Sequence, residues 1–183
     1  MRGESMALDQ IDCAILGELL ARPRAGVRDY ARTLGLARGT VQARLDRLTA
    51  QGVIGDYAPQ LNHAALGFPV LAFIHIQLQQ GSLETFTRDL ASIAQVVEAH
   101  SVTGDADVLC RVVARDNRDL EAIIQAILDL GGVVRTRSEI ALTERVPRRD
   151  ATLLEELADG APSNARTAYL ADKVRADVIN YAT

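Results

Sequence analysis

The stretch LGLARGTVQARLDRLTAQGVIGDY, residues 34–57, combines regularly spaced apolar residues with a cluster of arginines. Val41, Leu45 and Leu48 recur at intervals of three and four residues, which predicts an amphipathic helix with one apolar stripe. The other faces of that helix carry the polar side chains Arg38, Thr40, Gln42, Arg44 and Arg47. One side of the segment therefore suits a protein core, and the rest suits a polar or negatively charged partner.

A first helix is predicted upstream, from about Asp9 to Ala21. Its apolar residues recur at helical spacing, Asp9 can serve as the N-cap, and a proline ends the pattern at position 23. Asp12 and Glu18 lie on the other face of this predicted helix.

A second, shorter helix is predicted over residues 27–34, and Gly35 suits a left-handed C-cap at its end. Three helices with a tight glycine turn between the last two define a helix-turn-helix. The residues VIGDYAPQL, 53–61, are interpreted as a short wing-like strand after the third helix.

Positive charge is concentrated in this first part of the chain. The 183 residues carry a net charge of −4, which excludes a protein that is basic all over, yet residues 21–48 hold seven arginines and two aspartates, a local charge of +5. In a helix-turn-helix, arginine and glutamine of the third helix can pair with base edges and other arginines with phosphates. We therefore predict double-stranded DNA as a partner. The predicted contacts are Arg28, Arg38, Thr40, Gln42, Arg44 and Arg47. The alternative is that these residues form the charged outer face of an ordinary three-helix domain.

Cysteine usage and apolar runs bound the compartment. Cys13 and Cys110 are far apart and have no CxxC spacing, which predicts neither a disulfide framework nor a zinc site and fits a reducing cytosol. The longest apolar run, residues 64–74, is too short to cross a bilayer as a helix. We expect a soluble, cytoplasmic protein with no cofactor, no metal and no membrane partner.

The second part of the chain alternates between strand and helix patterns. In order these are a strand at 69–78, a helix capped by Ser82 with an inner stripe of Leu83, Phe86, Leu90 and Ile93, strands at 96–104 and 107–115, a helix capped by Asp116 or Asn117, and a strand at 133–146. The order βαββαβ predicts a ferredoxin-like antiparallel sheet with both helices on one face.

The opposite face of that sheet has no helix to cover it. Leu71, Phe73 and Val113, or the residues that alternate with them, would be exposed there, which monomers seldom tolerate. The same sheet from a second subunit is the simplest cover and would give an isologous homodimer. Such a dimer would pair two helix-turn-helix units for DNA half-sites roughly 34 Å apart.

Four stretches of the sequence, within residues 8–147, resemble one family of regulators. They are LDQIDCAILGELL (8–20), DYARTLGLARGTVQARLDRLTAQGVIGDY (29–57), TGDADVLCRVV (103–113) and VVRTRSEIAL (133–142). Together they resemble the Lrp/AsnC family of bacterial and archaeal transcription regulators, also called feast/famine regulators. The resemblance implies a dimer formed through the sheet domain, assembly of dimers into octamers, and a small effector, commonly an amino acid, at the interface between dimers.

The resemblance also implies roles for individual residues. The recognition helix of the family corresponds to Arg38 to Ala50, with Arg38, Thr40 and Gln42 as base readers. Arg44 and Arg47 correspond to phosphate contacts or to helix-surface partners of Asp46. Ala37 stands where the family usually has a serine cap, so that cap is expected to be weaker or shifted.

The effector site of the family corresponds to a turn and to the last strand. The turn residues are Gly104, Asp105, Ala106 and Asp107, and the strand residues are Thr136 and Ser138. Backbone N–H groups of such a turn can hold a ligand carboxylate, and a side-chain carboxylate can hold its ammonium group. The family often has an aromatic residue where this chain has Ala106. The alternative is a plain β-turn whose aspartates satisfy local backbone donors.

These observations predict an α+β protein with an N-terminal winged helix-turn-helix followed by a ferredoxin-like effector-binding and oligomerisation domain. The predicted divisions are residues 1–60 for DNA binding, 61–68 for a linker, 69–147 for the effector and dimerisation domain, and 148–183 for a C-terminal extension. Within the extension, residues 160–164 are interpreted as a flexible linker, and a helix is predicted around Leu170, Val174 and Val178.

Three functions stay open at this point. The first is a sequence-specific DNA-binding regulator that responds to a small effector and has no enzymatic activity. The second is an enzyme, because siroheme decarboxylases are similar to this family and use histidines, and this chain has His63, His75 and His100. The third is a nucleoid-type architectural protein, which would show steep salt dependence and little sequence preference.

Overall fold

Six helices and four strands are present in the computed structural model, which describes residues 8–55 and 58–160. In chain order they are α1 (Gln10–Ala21), α2 (Val27–Leu34), α3 (Arg38–Ala50), β1 (Val70–Leu78), α4 (Leu83–Leu90), β2 (Val96–Ser101), β3 (Val108–Ala114), α5 (Asn117–Leu128), β4 (Val133–Ala141) and α6 (Ala151–Gly160). The chain divides into two compact units. Of the described residues, one unit contains 8–55 and 147–160, and the other contains 58–146.

The first unit is a helix-turn-helix, as predicted. The Asp9 carboxylate accepts a hydrogen bond from the backbone N–H of Asp12 at 2.8 Å, which confirms Asp9 as the N-cap of α1. Gly35 ends α2 in the left-handed conformation with φ +62°, as expected for a C-cap. The three helices enclose an apolar core made of Ala14, Ile15, Tyr30, Ala31, Leu34, Val41 and Leu45.

A sixth helix, which the sequence patterns did not predict, completes this unit. α6 packs along α1, and the Gln10 side-chain amide donates a hydrogen bond to the backbone carbonyl of Ala158 at 3.3 Å. Every residue of α1 from Asp12 to Glu18 is buried, so the polar face predicted for this helix does not meet solvent. Gly160, the first residue of the predicted linker, ends α6, and the rest of that linker and the helix predicted around Leu170, Val174 and Val178 lie outside the described residues.

The second unit is the predicted βαββαβ arrangement. Its sheet has the strand order β2-β3-β1-β4, and each neighbouring pair is antiparallel. Ala72, Ile74 and Ile76 of β1 are fully buried and pack with α4 and α5 residues such as Phe86 and Ile123. The intervening residues of β1 face the opposite side of the sheet, as the two-residue period of a strand requires.

That opposite face is less apolar than the sequence predicted. Leu71 and Phe73 are partly exposed, but Val113 is only 4% exposed and contributes no surface. Strand pairing places charged residues beside the apolar ones, because Phe73 lies opposite Arg111 on one side and Glu139 on the other. The face therefore combines an apolar strip with charged neighbours.

Two predicted strands are corrected by the structure. The described residues of the expected wing, 53–55 and 58–61, form bends and coil, because the N–H groups of Val53 and Ile54 bond back to the Leu48 carbonyl at the end of α3. The last strand ends at Ala141 instead of residue 146. Ala141 pairs with Leu71 near the first residue of β1, so the chain beyond it has no neighbouring strand to join.

The start of α4 also differs from the prediction. Ser82 occupies the N-cap position, but its side chain makes no capping bond, and Leu83 is 41% exposed instead of lying on the inner stripe. The cap of α5 is Asp116, whose side chain accepts from the backbone N–H of Asp119. Among the described residues, no helix is long and apolar enough to cross a membrane.

Replacement of Gly132 by alanine tests the connection between α5 and β4. Gly132 has φ +88°, and a Cβ there would lie 2.5 Å from the Ser82 Cβ, so the side chain is excluded by both conformation and space. We expect Gly132→Ala to lower the free energy of unfolding by about 2 to 3 kcal/mol. Gly131 has open space around its Cβ position and is the matched control. Gly131→Ala should change stability by less than about 1 kcal/mol in the same chemical denaturation experiment, and equal effects would contradict this account.

Candidate DNA-binding and effector sites

The three residues predicted to read bases lie on the polar faces of α3. Arg38, Thr40 and Gln42 are all exposed, while Val41, Leu45 and Leu48 of the same helix are buried. Burial of the apolar stripe fixes which faces of α3 remain available. No side chain caps the start of the helix at Ala37, as expected from the missing serine.

Gln42 is held along the helix by its neighbour one turn later. Its side-chain amide donates to the Asp46 carboxylate at 2.8 Å. Asp46 is therefore the partner of Gln42, and the prediction that Arg44 and Arg47 pair with Asp46 is wrong. This contact uses one hydrogen of the Gln42 side-chain amide and does not use the side-chain carbonyl oxygen of Gln42.

Arg44 and Arg47 instead reach across to α1. Arg44 Nη1 lies 2.7 Å from Asp9 Oδ1 and 2.7 Å from Asp12 Oδ1. Arg47 Nη2 lies 2.6 Å from both carboxylate oxygens of Asp12. The Asp12 side chain is only 2% exposed, whereas Arg44 is 23% and Arg47 45% exposed. These contacts join the beginning of α1 to the second half of α3, and we call the four residues the α1–α3 ion-pair network.

The network shifts the protonation of two of its members. Partial burial raises the pKa of Asp9, but hydrogen bonds from Arg44 and from the Asp12 backbone outweigh it, so that the pKa lies below its ordinary value. For Arg44, burial lowers the pKa, but its bonds to Asp9 and Asp12 more than compensate and raise it. Both shifts favour the charged forms that the ion pairs require.

The arginine-rich residues 21–48, here called the basic cluster, carry less net positive charge in the folded protein than their sequence indicates. α1 brings three carboxylates, Asp9, Asp12 and Glu18, against arginines of the cluster, which reduces its charge from +5 to +2. Arg22 pairs with Glu18 and also donates to the Thr33 hydroxyl at 2.8 Å. Within residues 21–48, the exposed arginines that pair with no carboxylate of the described residues are Arg24, Arg28 and Arg38.

The turn predicted to bind an effector has an exposed part and a structural part. Gly104 has φ +113°, a conformation that favours glycine, and Asp105 is exposed next to it. Asp107 has a local structural role, because its carboxylate accepts from the Leu78 backbone N–H at 2.7 Å and its own N–H donates to the Ile76 carbonyl at 2.9 Å. Ala106 is partly buried between them.

Thr136 and Ser138 lie at the same end of the sheet but on the far side of β1. Thr136 pairs with Ile76 and Ser138 with Ile74, while the turn contacts the other edge of β1 through Asp107. Two strand spacings separate the turn from β4, a distance of about 10 Å. The described residues therefore bring both parts of the predicted site to one end of the sheet without joining them.

The three histidines do not form one cluster. His75 and His100 both lie in register with Leu109, on the two strands that flank β3, so about 10 Å separates them. His75 Nε2 lies 3.7 Å from a Glu139 oxygen, and His100 Nε2 lies 2.8 Å from a Glu98 oxygen. His63 precedes the sheet. In the described part of the chain, no three His, Cys, Asp or Glu side chains are grouped as a metal site.

The geometry defines a class of protein. A helix-turn-helix that presents an exposed, polar third helix, combined with a separate βαββαβ unit, is the architecture of a two-domain DNA-binding regulator. Comparison with known proteins gives the family. Residues 8–49 match the AsnC-type helix-turn-helix domain and residues 71–151 match the Lrp/AsnC ligand binding domain. The chain belongs to the Lrp/AsnC family.

Individual relatives agree with this assignment. The HTH-type transcriptional regulator FL11 of Pyrococcus furiosus is 30% identical over 142 residues, which cover 78% of this chain and 92% of FL11. The feast or famine regulatory protein Rv3291c from M. tuberculosis, solved with L-methionine, is 33% identical with a TM-score of 0.71 and covers 79% of this chain and 98% of its own. E. coli AsnC, at 24% identity and the same coverages, shares the fold with a TM-score of 0.73.

The sequence patterns missed two features of the DNA-binding unit. These patterns identified Asp9 only as an N-cap and Asp12 only as part of a polar face. Their spacing, Asp-x-x-Asp, is that of a capping box, which places the second carboxylate in the first turn of the helix. α6 also had a signal, because Leu154 and Ala158 recur at helical spacing.

The pKa of Asp9 tests the α1–α3 ion-pair network directly. Arg44→Gln removes the side-chain hydrogen bonds that lower this pKa, so the pKa measured by carboxyl NMR titration should rise. In the wild type, the contribution of Asp9 to stability is present above its unfolded pKa and is lost as pH falls through the lower folded value. Arg38→Gln is the control, since Arg38 contacts neither aspartate, and it should leave the titration unchanged. An unshifted Asp9 titration in Arg44→Gln would show that the contact is not formed in solution.

Proposed function

We propose that this protein is a sequence-specific DNA-binding transcriptional regulator, in which α3 enters the major groove and a small effector controls binding. The observation that carries the proposal is the exposure of Arg38, Thr40 and Gln42 on a helix whose apolar stripe is fully buried. These side-chain types can read base edges. A regulator of this kind acts where the chromosome lies, and we therefore propose a cytoplasmic location.

The contacts to DNA divide between bases and phosphates. Arg38, Thr40 and Gln42 are proposed to read bases, and Arg28, exposed at the start of α2, is proposed to contact phosphate. The phosphate role predicted for Arg44 and Arg47 is replaced in this proposal by their contacts with Asp9 and Asp12. A guanidinium that already pairs with a carboxylate releases few counterions when DNA binds, so it adds little general affinity.

The reduced charge of the basic cluster weighs against an architectural protein. Binding without sequence preference depends on many phosphate contacts, and each contact requires an arginine or lysine that is free to make it. With a cluster charge of +2 instead of +5, base contacts must supply a larger share of the affinity. This balance supports the sequence-specific regulator over the nucleoid-type alternative.

The effector is proposed to be an amino acid or a related metabolite. One relative of 33% identity was solved with L-methionine, and the turn of this chain offers an exposed carboxylate at Asp105 beside Gly104. Thr136 and Ser138 supply hydroxyl groups on the last strand. Because about 10 Å separates the turn from β4, one subunit does not enclose a small ligand, and we propose that another copy of the chain completes the site.

The dimer is proposed to form through the sheet face that carries Leu71 and Phe73. Its apolar strip is bordered by charge pairs, with Arg111 3.9 Å from Glu98 and Arg137 3.1 Å from Glu139. An apolar centre with a polar rim is typical of an interface between subunits. Assembly of dimers into octamers remains a prediction from the family resemblance.

Substitution of the exposed α3 residues tests DNA recognition. Arg38→Ala should weaken binding to a duplex that the wild-type protein enriches from a random pool by about 10- to 100-fold, because a base contact is worth about 1 to 3 kcal/mol. Binding to a scrambled duplex of the same length should fall much less. Arg118→Ala on α5 removes another exposed arginine, from the other unit, and is the control. The proposal fails if Arg38→Ala and Arg118→Ala bind both duplexes like the wild type.

Two aspartates of the turn separate ligand binding from folding. Thermal melting of the wild type against a panel of amino acids should identify a stabilising compound. Asp105→Ala should abolish that shift without lowering the melting temperature of the free protein, because Asp105 is exposed. Asp107→Ala should lower the melting temperature itself, since it leaves the Leu78 N–H without its side-chain acceptor. A ligand shift that persists in Asp105→Ala would remove this residue from the proposed site.

A further inference from the structure

We propose that Asp12 is a positioning residue for DNA recognition. Its buried carboxylate fixes the orientation of α3 through Arg44 and Arg47, and it also withholds the Arg47 guanidinium, and together with Asp9 that of Arg44, from general phosphate binding. The inference rests on the proposed function and deepens it, because it assigns the source of sequence preference to a residue that does not face DNA.

The contacts of Asp12 explain how one side chain can set the orientation of a helix. Arg44 and Arg47 are three residues apart and therefore lie on one face of α3. Both donate to the Asp12 carboxylate, at 2.7 and 2.6 Å, and the carboxylate also accepts from the Asp9 backbone N–H at 3.2 Å. Charge-assisted hydrogen bonds of this length are directional. The apolar stripe holds α3 in the core, and the ion pairs fix its rotation.

Small rotations of α3 would matter for base reading. Side-chain ends lie about 5 to 6 Å from a helix axis, so a rotation of about 10° moves them by about 1 Å. Bidentate hydrogen bonds between arginine or glutamine and a base tolerate little displacement. Loss of the Asp12 contacts would therefore weaken specific contacts at Arg38 and Gln42, although neither residue touches Asp12.

The second effect of Asp12 is electrostatic. Its charge is buried, and two guanidinium groups compensate it while remaining 23% and 45% exposed. Without the carboxylate, Arg47 would lose its carboxylate partner and be released as a mobile cation beside the proposed DNA-binding surface, while Arg44 would keep only Asp9. Such cations bind phosphate regardless of sequence. Asp12 thus raises the affinity for the correct sequence and lowers the affinity for all others.

The variant Asp12→Asn, which keeps the shape of the side chain, tests both effects. Binding is measured by fluorescence anisotropy on the duplex enriched by the wild type and on its scrambled counterpart, at a temperature where circular dichroism shows each variant fully folded. We expect the ratio of the two affinities to fall at least tenfold. Binding to the scrambled duplex should be unchanged or tighter, and its dependence on salt should become steeper by about one phosphate contact, that of Arg47.

Glu18→Gln is the matched control for stability. Glu18 is also a buried carboxylate of α1, 4% exposed, and its ion pair is with Arg22, which lies outside α3. Both variants lose a buried ion pair and should melt at lower temperature. Glu18→Gln also frees one arginine of the cluster, Arg22, so the salt dependence on the scrambled duplex should become steeper in both variants. Only Asp12→Asn should weaken binding to the enriched duplex. Equal affinity ratios in the wild type, Asp12→Asn and Glu18→Gln would reduce Asp12 to a structural residue and overturn the inference.

Arg47→Gln extends the test if Asp12→Asn does not fold. This variant removes one of the two arginines that hold Asp12, from a partly exposed position. We expect a lower affinity for the enriched duplex with an unchanged salt dependence. A salt dependence that becomes shallower by about one contact would show Arg47 bound to phosphate and would overturn the inference. A wild-type protein that enriches no sequence from the pool would instead overturn the proposed function, and the inference with it.

Discussion

The buried Asp12 carboxylate constrains the entire helix-turn-helix unit. A charge with 2% exposure is stable only while its hydrogen-bond partners stay in place, and here those partners are two arginines of α3 and the first turn of α1. The same helix carries the N-cap Asp9 and, at Gln10, the hydrogen bond to α6. Three structural features therefore depend on the beginning of α1: the start of the helix, the orientation of α3 and the docking of α6.

The position of α6 gives the two units a second covalent connection. The chain leaves the sheet unit after β4, which carries Thr136 and Ser138, and ends its described part in a helix packed on α1. The first connection is the segment between α3 and β1, which leaves the helix-turn-helix at the end of α3. The helix-turn-helix unit is therefore continuous with the sheet unit at two points of the chain. In a regulator, such a link joins the strand proposed to bind the effector to the helix that supports α3.

Local patterns predicted most of the elements, because amphipathic spacing and glycine turns are local properties. Val41, Leu45 and Leu48 predicted α3, and Gly35 predicted the turn before it. The partners of Arg44 and Arg47 were not predictable in this way, since Asp9 and Asp12 lie more than thirty residues away along the chain. The prediction of a wing strand also failed because of a contact that the residue pattern does not show: the N–H groups of Val53 and Ile54 bond back to α3. Asp107 has a backbone contact that its place in the turn did not predict, with the Leu78 N–H, while its predicted role in effector binding stays a prediction.

The most direct test of this account is the affinity of the wild-type protein for its enriched duplex and for a scrambled duplex across a series of salt concentrations. Free phosphate-binding arginines are few, because the cluster charge is +2. We therefore predict that the affinity for the enriched duplex exceeds that for the scrambled duplex by at least about 10³ near physiological salt. Binding to the scrambled duplex should depend only weakly on salt. A ratio near one with a steep salt dependence on both duplexes would contradict it and would identify a DNA-binding protein without sequence preference.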